Sequence, residues 1–217
     1  MAIRRQLAIF VVLLTCASGL WLSDGALGRG ADPDAPATAP PQAVASLTGQ
    51  LLVASPDMQD PRFAHTVVLI VKHDKNGAFG IVINRPVEER PYSDLLKALG
   101  DTDTNVPGSV RIFAGGPVQP ELGFIVHSAE YRRPETVAID GKLAVTSTPD
   151  ALRDLAHGHG PKKAIVAFGY AGWGPGQLDH EMALRGWFTA PADPDLVFDD
   201  DRATLWDTAM AHRTINL

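Results

Sequence analysis

Gly169-Tyr-Ala-Gly-Trp-Gly-Pro-Gly-Gln-Leu178 is the stretch on which the reading of the fold turns. The apolar run Ala164-Ile-Val-Ala-Phe168 leads into it, and an amphipathic segment from Gln177 to Arg185 leads out. This pattern predicts strand, glycine-rich turn, helix. Glycine permits left-handed backbone or close approach, and Pro175 suits a first helical turn. Such a turn presents backbone N–H groups at a helix start and exposes Trp173 on a loop. Two readings follow: a structural turn carrying a packed tryptophan, or a ligand-contacting loop centred on Gly172, Trp173 and Gly174.

The loop matches neither of the phosphate-cradling glycine patterns, having no Lys and no Ser/Thr at the required spacing. Asp179 and Glu181 fall in the first helical turns, where a carboxylate complements the dipole and repels an anion. Glu181 stands four residues before Arg185, the spacing of a surface ion pair.

Working outward, the chain of 217 residues has room for one domain or two small ones. At its start Arg4 and Arg5 precede an apolar run from Leu7 to Leu22, followed by small and polar residues. That is the pattern of a secretory signal peptide over residues 1–28. The run falls short of the about 20 apolar residues of a spanning helix, but an uncleaved N-terminal anchor is the alternative. The expectation is therefore an exported, periplasmic protein, membrane-attached only if residues 7–22 are retained. Cys16, the only cysteine, lies inside this segment, so the mature chain is expected to lack disulfides, zinc–thiolate sites and cysteine nucleophiles. Residues 29–46 are rich in Pro and Ala and read as a disordered linker. The folded domain is expected over residues 47–217. Net charge is −6 and the basic residues form no run, which argues against nucleic-acid binding.

Within that domain, Leu51–Ala54, Thr66–Val71 and Ala78–Asn84 read as strands, the last two joined by the hairpin residues Asp74-Lys-Asn-Gly77. Pro86 ends that hairpin. Ser93 caps a helix that ends at Gly100. Val110–Ala114 and Gly123–Ser128 are strands, the second starting after a Pro120-Glu121 turn. Asp140-Gly141 signals a type I′ hairpin. A helix runs from Pro149 to His157, Trp187–Thr189 is an edge strand, Pro191–Pro194 a loop, and Ala203–Arg213 a closing helix. Hairpins outnumber strand–helix–strand units. The fold class expected is α+β: a single domain whose mixed, mainly antiparallel, curved sheet is flanked by short helices.

Several motifs stand in a fixed order: Gly49-Gln-Leu-Leu-Val-Ala-Ser-Pro-Asp-Met58, Asp60-Pro-Arg-Phe63, Gly80-Ile-Val-Ile-Asn-Arg-Pro86, Gly115-Gly-Pro-Val118, Gly123-Phe-Ile-Val-His-Ser128, the central glycine stretch, and Pro191-Ala-Asp-Pro-Asp195. Together they resemble the YqgE/AlgH family of bacterial proteins, from about Leu47 to about Arg213. The resemblance implies one domain with a barrel-like sheet. It implies no established activity, members being commonly described as candidate transcriptional regulators. Most members look cytosolic, so the exported-looking start is a departure and weakens a direct role on DNA.

No constellation points firmly to catalysis. His127 and Ser128 invite a hydrolase reading with a distant acid, yet neighbours on a strand face opposite sides. His157-Gly-His159 lacks a third metal ligand nearby, and the histidines suit a helix end. Asp199-Asp-Asp201 reads as the acidic approach to the last helix. The expectation is a non-enzymatic binding or regulatory module with no metal and no cofactor, and with a small molecule or a protein as partner. Its candidate contacts are Asn84, Arg85, Gly115, Gly116, Gly172, Trp173 and Gly174; the alternative is a hydrolase using Ser128 and His127.

Overall fold

A computed structural model describes residues 46–102 and 104–214; the signal-peptide and linker expectations lie outside these residues, apart from Ser46. The elements in chain order are β1 (Gln50–Ala54), β2 (Val67–Asp74), β3 (Gly77–Val82), β4 (Pro86–Pro91), α1 (Tyr92–Ala98), β5 (Ser109–Ala114), β6 (Val118–Ser128), β7 (Val137–Ala138), β8 (Leu143–Thr146), α2 (Pro149–Ala156), β9 (Ala164–Trp173), α3 (Gln177–Ala183), β10 (Trp187–Pro191), α4 (Pro194–Val197) and α5 (Leu205–Ala211). The class is α+β, as expected: a strongly curled, half-barrel sheet of mainly antiparallel strands with few short helices.

The strand order is β10-β1-β2-β3-β9-β6-β8-β7, and the β4–β5 hairpin joins through a parallel pairing of β5 with β9. β1, β3 and the Val67–Val71 part of β2 are largely buried on both faces, which is why they read as apolar runs rather than alternations. Leu51, Val53, Leu69 and Ile81 turn into the concave core, while Leu52, Val68, Ile70 and Val82 form a second core beneath α3. A third core, with Ile112, Ile125 and Val166, packs against Leu95 of α1 and Leu152 of α2.

β9 is the hinge of this arrangement. Its first half pairs with β5 and β6, its last residues with β3. The change of partner falls over Gly169 and Tyr170, the glycine being in the left-handed region with φ 78°. A Cβ there would lie 2.4 Å from the Gly116 carbonyl oxygen, and one on Gly116 would lie 2.0 Å from the Tyr170 carbonyl carbon. Side chains at these positions are sterically impossible without moving backbone, so the glycines exist to let two chain segments cross.

The structure corrects several expectations. The strand does not stop before the glycine-rich stretch but runs through Gly169 and Gly172 to Trp173, leaving only Gly174 to Gly176 as the turn. Hydrogen bonding to β3 keeps those residues extended despite their glycine content. β4 begins at Pro86 itself, a strand hidden by its charged sequence because it pairs on one side only and leaves its face exposed. α1 begins at Tyr92 behind Pro91, so Ser93 lies inside the helix rather than capping it. Pro120 sits within β6, where a bulge replaces the expected turn. The β7–β8 hairpin forms, but Gly141 is not left-handed; the Asp140 carboxylate closes the loop by accepting the N–H groups of Lys142 and Leu143, each at 2.7 Å. α4 starts at Pro194, the last residue expected as loop, and the closing helix is shorter at both ends.

Candidate functional site

The hydrolase pair is not assembled. His127 is fully buried; its Nδ1–H donates to the Ser128 carbonyl and its Nε2 accepts from the Thr146 hydroxyl, both at 2.9 Å. The chain of donors continues outward: Thr136 Oγ1 donates to Thr146 Oγ1 at 2.7 Å and accepts from the Arg133 N–H. Burial holds the His127 imidazole below its ordinary pKa. Ser128 Oγ points elsewhere, donating to Glu130 at 2.8 Å. Among the described residues no group of three His, Cys, Asp or Glu side chains is placed to hold a metal ion.

A cleft of about 670 Å³ opens beside α3. Its walls come from the loop after β1, the end of β9, one side of α3 and the start of β10. Local chemistry shapes the loop. Met58 N–H donates to the Ser55 carbonyl, Asp60 accepts the Arg62 N–H at 2.9 Å, and the Arg62 guanidinium pairs with Asp60 at 2.6 Å. Hydrogen bonding from Arg62 holds the Asp60 carboxyl below its usual range. The loop thereby delivers Phe63 to the cleft, where its ring centroid lies 5.4 Å from Trp187 and 6.4 Å from Trp173.

Two of the candidate contacts act on this loop from outside. Asn84 accepts the Val67 N–H and donates to the His65 carbonyl, both at 2.9 Å, and Arg85 donates to the Ala64 carbonyl at 3.0 Å. They staple the loop to β3 and so position Phe63. Gly115 and Gly116 serve the backbone crossing with β9; Gly116 also lines a smaller cleft of about 290 Å³ with Val87 and Phe168. Gly172 and Trp173 do line the larger cleft. Of the candidate residues, only Gly172 and Trp173 line the larger cleft, and the set does not converge on one site.

The floor of the cleft is a hydrogen-bonded aromatic unit. Trp173 and Trp187 are 7% and 2% exposed, with ring centroids 5.9 Å apart. Both indole N–H groups donate to Oε2 of Glu181, at 3.0 and 2.8 Å, and the Gln177 amide donates to Oε1 at 2.9 Å. Gln177 in turn accepts the Gly174 N–H at 3.1 Å, so that turn N–H is occupied. Trp173 is therefore a wall packed into the second core, not a side chain standing free on a loop.

The expected Glu181–Arg185 surface pair is absent because the Glu181 carboxylate is spent on the indoles and Arg185 lies beyond the helix. Its N–H closes onto Met182 O and that of Gly186 onto Glu181 O, with Arg185 itself left-handed at φ 57°. Sequence reasoning missed Phe63, Glu181 and Trp187 as companions of Trp173. Only the Asp60-Pro-Arg-Phe63 motif hinted at the first, which lies so far before Trp173 in the chain that the pairing leaves no local signal. Glu181 and Trp187 are near Trp173 in sequence, but nothing in their spacing shows that one carboxylate takes both indoles.

A family model described as AlgH-like matches residues 51–217. The chain is 45% identical over 170 residues to a UPF0301 protein of Rhodospirillum rubrum, covering 78% of this chain and 88% of the relative. It is 43% identical over 172 residues to a UPF0301 protein of Jannaschia sp., covering 78% and 90%. Among solved structures, the solution structure of the AlgH protein from Pseudomonas aeruginosa superposes with a TM-score of 0.66 at 36% identity, over 82% of this chain and 93% of that one. A crystal structure from Corynebacterium diphtheriae, 21% identical, shares the fold with a TM-score of 0.61 over 77% and 87%.

Proposed function

The chain belongs to the AlgH-like family, whose function is uncharacterised, and from that premise we propose that it is a non-enzymatic binding module acting through the cleft beside α3. One observation carries this reading: three aromatic rings from loop, β9 and β10 meet along one cleft, and one carboxylate ties two of them through their indole N–H groups. Concave, mainly apolar sites with a few fixed polar groups are where ligands bind. Exposed Leu184 and Arg185 stand at the rim, available to a partner. A regulatory role would consist of occupancy of this cleft being read by another component, and the net negative charge favours a small molecule or protein over nucleic acid. We place the protein outside the cytoplasm on the strength of Arg4, Arg5 and the apolar run that follows.

Native mass spectrometry of protein purified under mild conditions tests the binding role. A retained mass that is lost in a Leu184→Arg variant is expected. If nothing is retained, and no member of a metabolite and peptide library shifts the indole signals of Trp173 and Trp187, the cleft is not a binding site.

A further inference from the structure

The reading of the cleft as a binding site leaves open what class of ligand it takes, and the arrangement of charge within it answers that question. Glu181 is half-buried among aromatic rings, and its two oxygens accept from three neutral donors. Neutral N–H groups orient a carboxylate and stabilise it but do not cancel its charge. Among the described residues, no Lys, Arg or His lies within ion-pairing distance of it; the pairs of this structure are made elsewhere. The other lining charges do not substitute. Arg62 is committed to Asp60 at 2.6 Å, while Asp57 and Arg185 are opposite charges on exposed residues at the mouth. What remains uncancelled at the wall is one negative charge.

The rings around it reinforce this sign. An aromatic ring is negative over its face and positive at its edge, and here both indole N–H edges are turned toward Glu181. Trp173, Trp187 and Phe63 line the same cleft. A cation seated there meets the carboxylate with aromatic carbon around it, chiefly the half-buried Phe63, since Trp173 and Trp187 are 7% and 2% exposed. The Arg62 guanidinium already stands over the Phe63 ring at 6.0 Å. A carboxylate beside aromatic rings is the combination by which ammonium and methylated ammonium groups are recognised. An anion finds no such welcome, because the Gly174 N–H is already taken by Gln177 and the wall itself carries the Glu181 carboxylate. We infer that the cleft binds an organic cation, a primary or methylated ammonium group, against Glu181 and the Trp173–Trp187–Phe63 wall.

This inference rests on the cleft being a binding site, and the test separates the two. The indole Nε1–H signals of Trp173 and Trp187 are followed by nuclear magnetic resonance during titration with tetramethylammonium chloride, with tert-butanol as neutral isostere and benzoate as anion. Trp206, whose N–H donates to the Ala54 carbonyl away from the cleft, is the internal reference. Saturable shifts with tetramethylammonium, at least tenfold weaker with tert-butanol, are expected. Glu181→Gln keeps an amide oxygen that can accept both indoles, so it should retain the fold and weaken the cation tenfold or more. Equal binding of the isostere, preference for benzoate, or undiminished affinity in Glu181→Gln overturns the cation assignment and leaves the cleft as a binding site. Silence toward all three probes overturns both. Should Glu181→Gln not fold, the wild-type comparison of cation with isostere still decides.

Discussion

Trp173 shows how one residue type supports opposite readings until its surroundings are known. On a glycine loop it reads as a contact residue; at 7% exposure, with its N–H fixed by Glu181, it is core. Trp173→Ala should accordingly lower stability by about 3–5 kcal/mol, measured by chemical denaturation, through the cavity it leaves. Arg185 offers the opposite sign. A left-handed conformation is strained for any residue with a Cβ, so Arg185→Gly should raise stability by about 0.5–1 kcal/mol in the same assay. His127 gives a pH dependence. Its folded-state pKa lies below the unfolded value near 6.5, so the unfolded chain takes up the proton first as pH falls. The stabilisation is complete above about pH 6.5 and is lost as pH falls through the folded value. The thermal midpoint should drop as pH falls below about 6.5, and His127→Asn should flatten that slope even where it lowers the midpoint overall.

At the level of elements, β9 makes its crossing possible only through glycine. Gly116→Ala and Gly169→Ala should each destabilise by about 4 kcal/mol or more, or abolish soluble expression, since each added methyl meets backbone that cannot yield. Gly141→Ala, with nothing within 4 Å, should stay within about 0.5 kcal/mol of wild type in thermal unfolding. These elements also mark what the sequence discloses. Leu51–Ala54 of β1, Val67–Val71 of β2 and all of β3 were legible because burial on both faces leaves no polar position there to confuse the pattern. β4 was not, because Val87-Glu-Glu-Arg90 is an edge strand whose exposed face carries charge, the usual protection of an open edge. The glycines of β9 were visible as special but misassigned to a turn, because glycine marks close approach and reversal alike. Asn84 and Arg85 were visible as a motif, yet their work on the loop carrying Phe63 depends on a contact between β3 and residues 64–67 that no local pattern encodes.

For the whole molecule, the folded unit takes hold at Ser46, whose hydroxyl donates to the His73 carbonyl, and at Leu47, whose N–H donates to His73 Nδ1. A chain beginning at Ala45 should therefore keep the full-length thermal midpoint, the Pro/Ala segment before it having too little apolar surface to offset its ordering entropy. One beginning at Gln50 should melt lower. The pairing of β1 with β10 runs from Gln50 opposite Pro191 to Ala54 opposite Trp187. The earliest strand of the domain thus finds one of its two neighbours only when nearly all of the chain has emerged from the ribosome. Until then Leu52 and Val53 present an open edge, and closure across so long a stretch is slow because contacts distant in sequence form late. The β1–β10 seam is therefore the part of the sheet expected to close last during synthesis, leaving that edge open to other strands for longest.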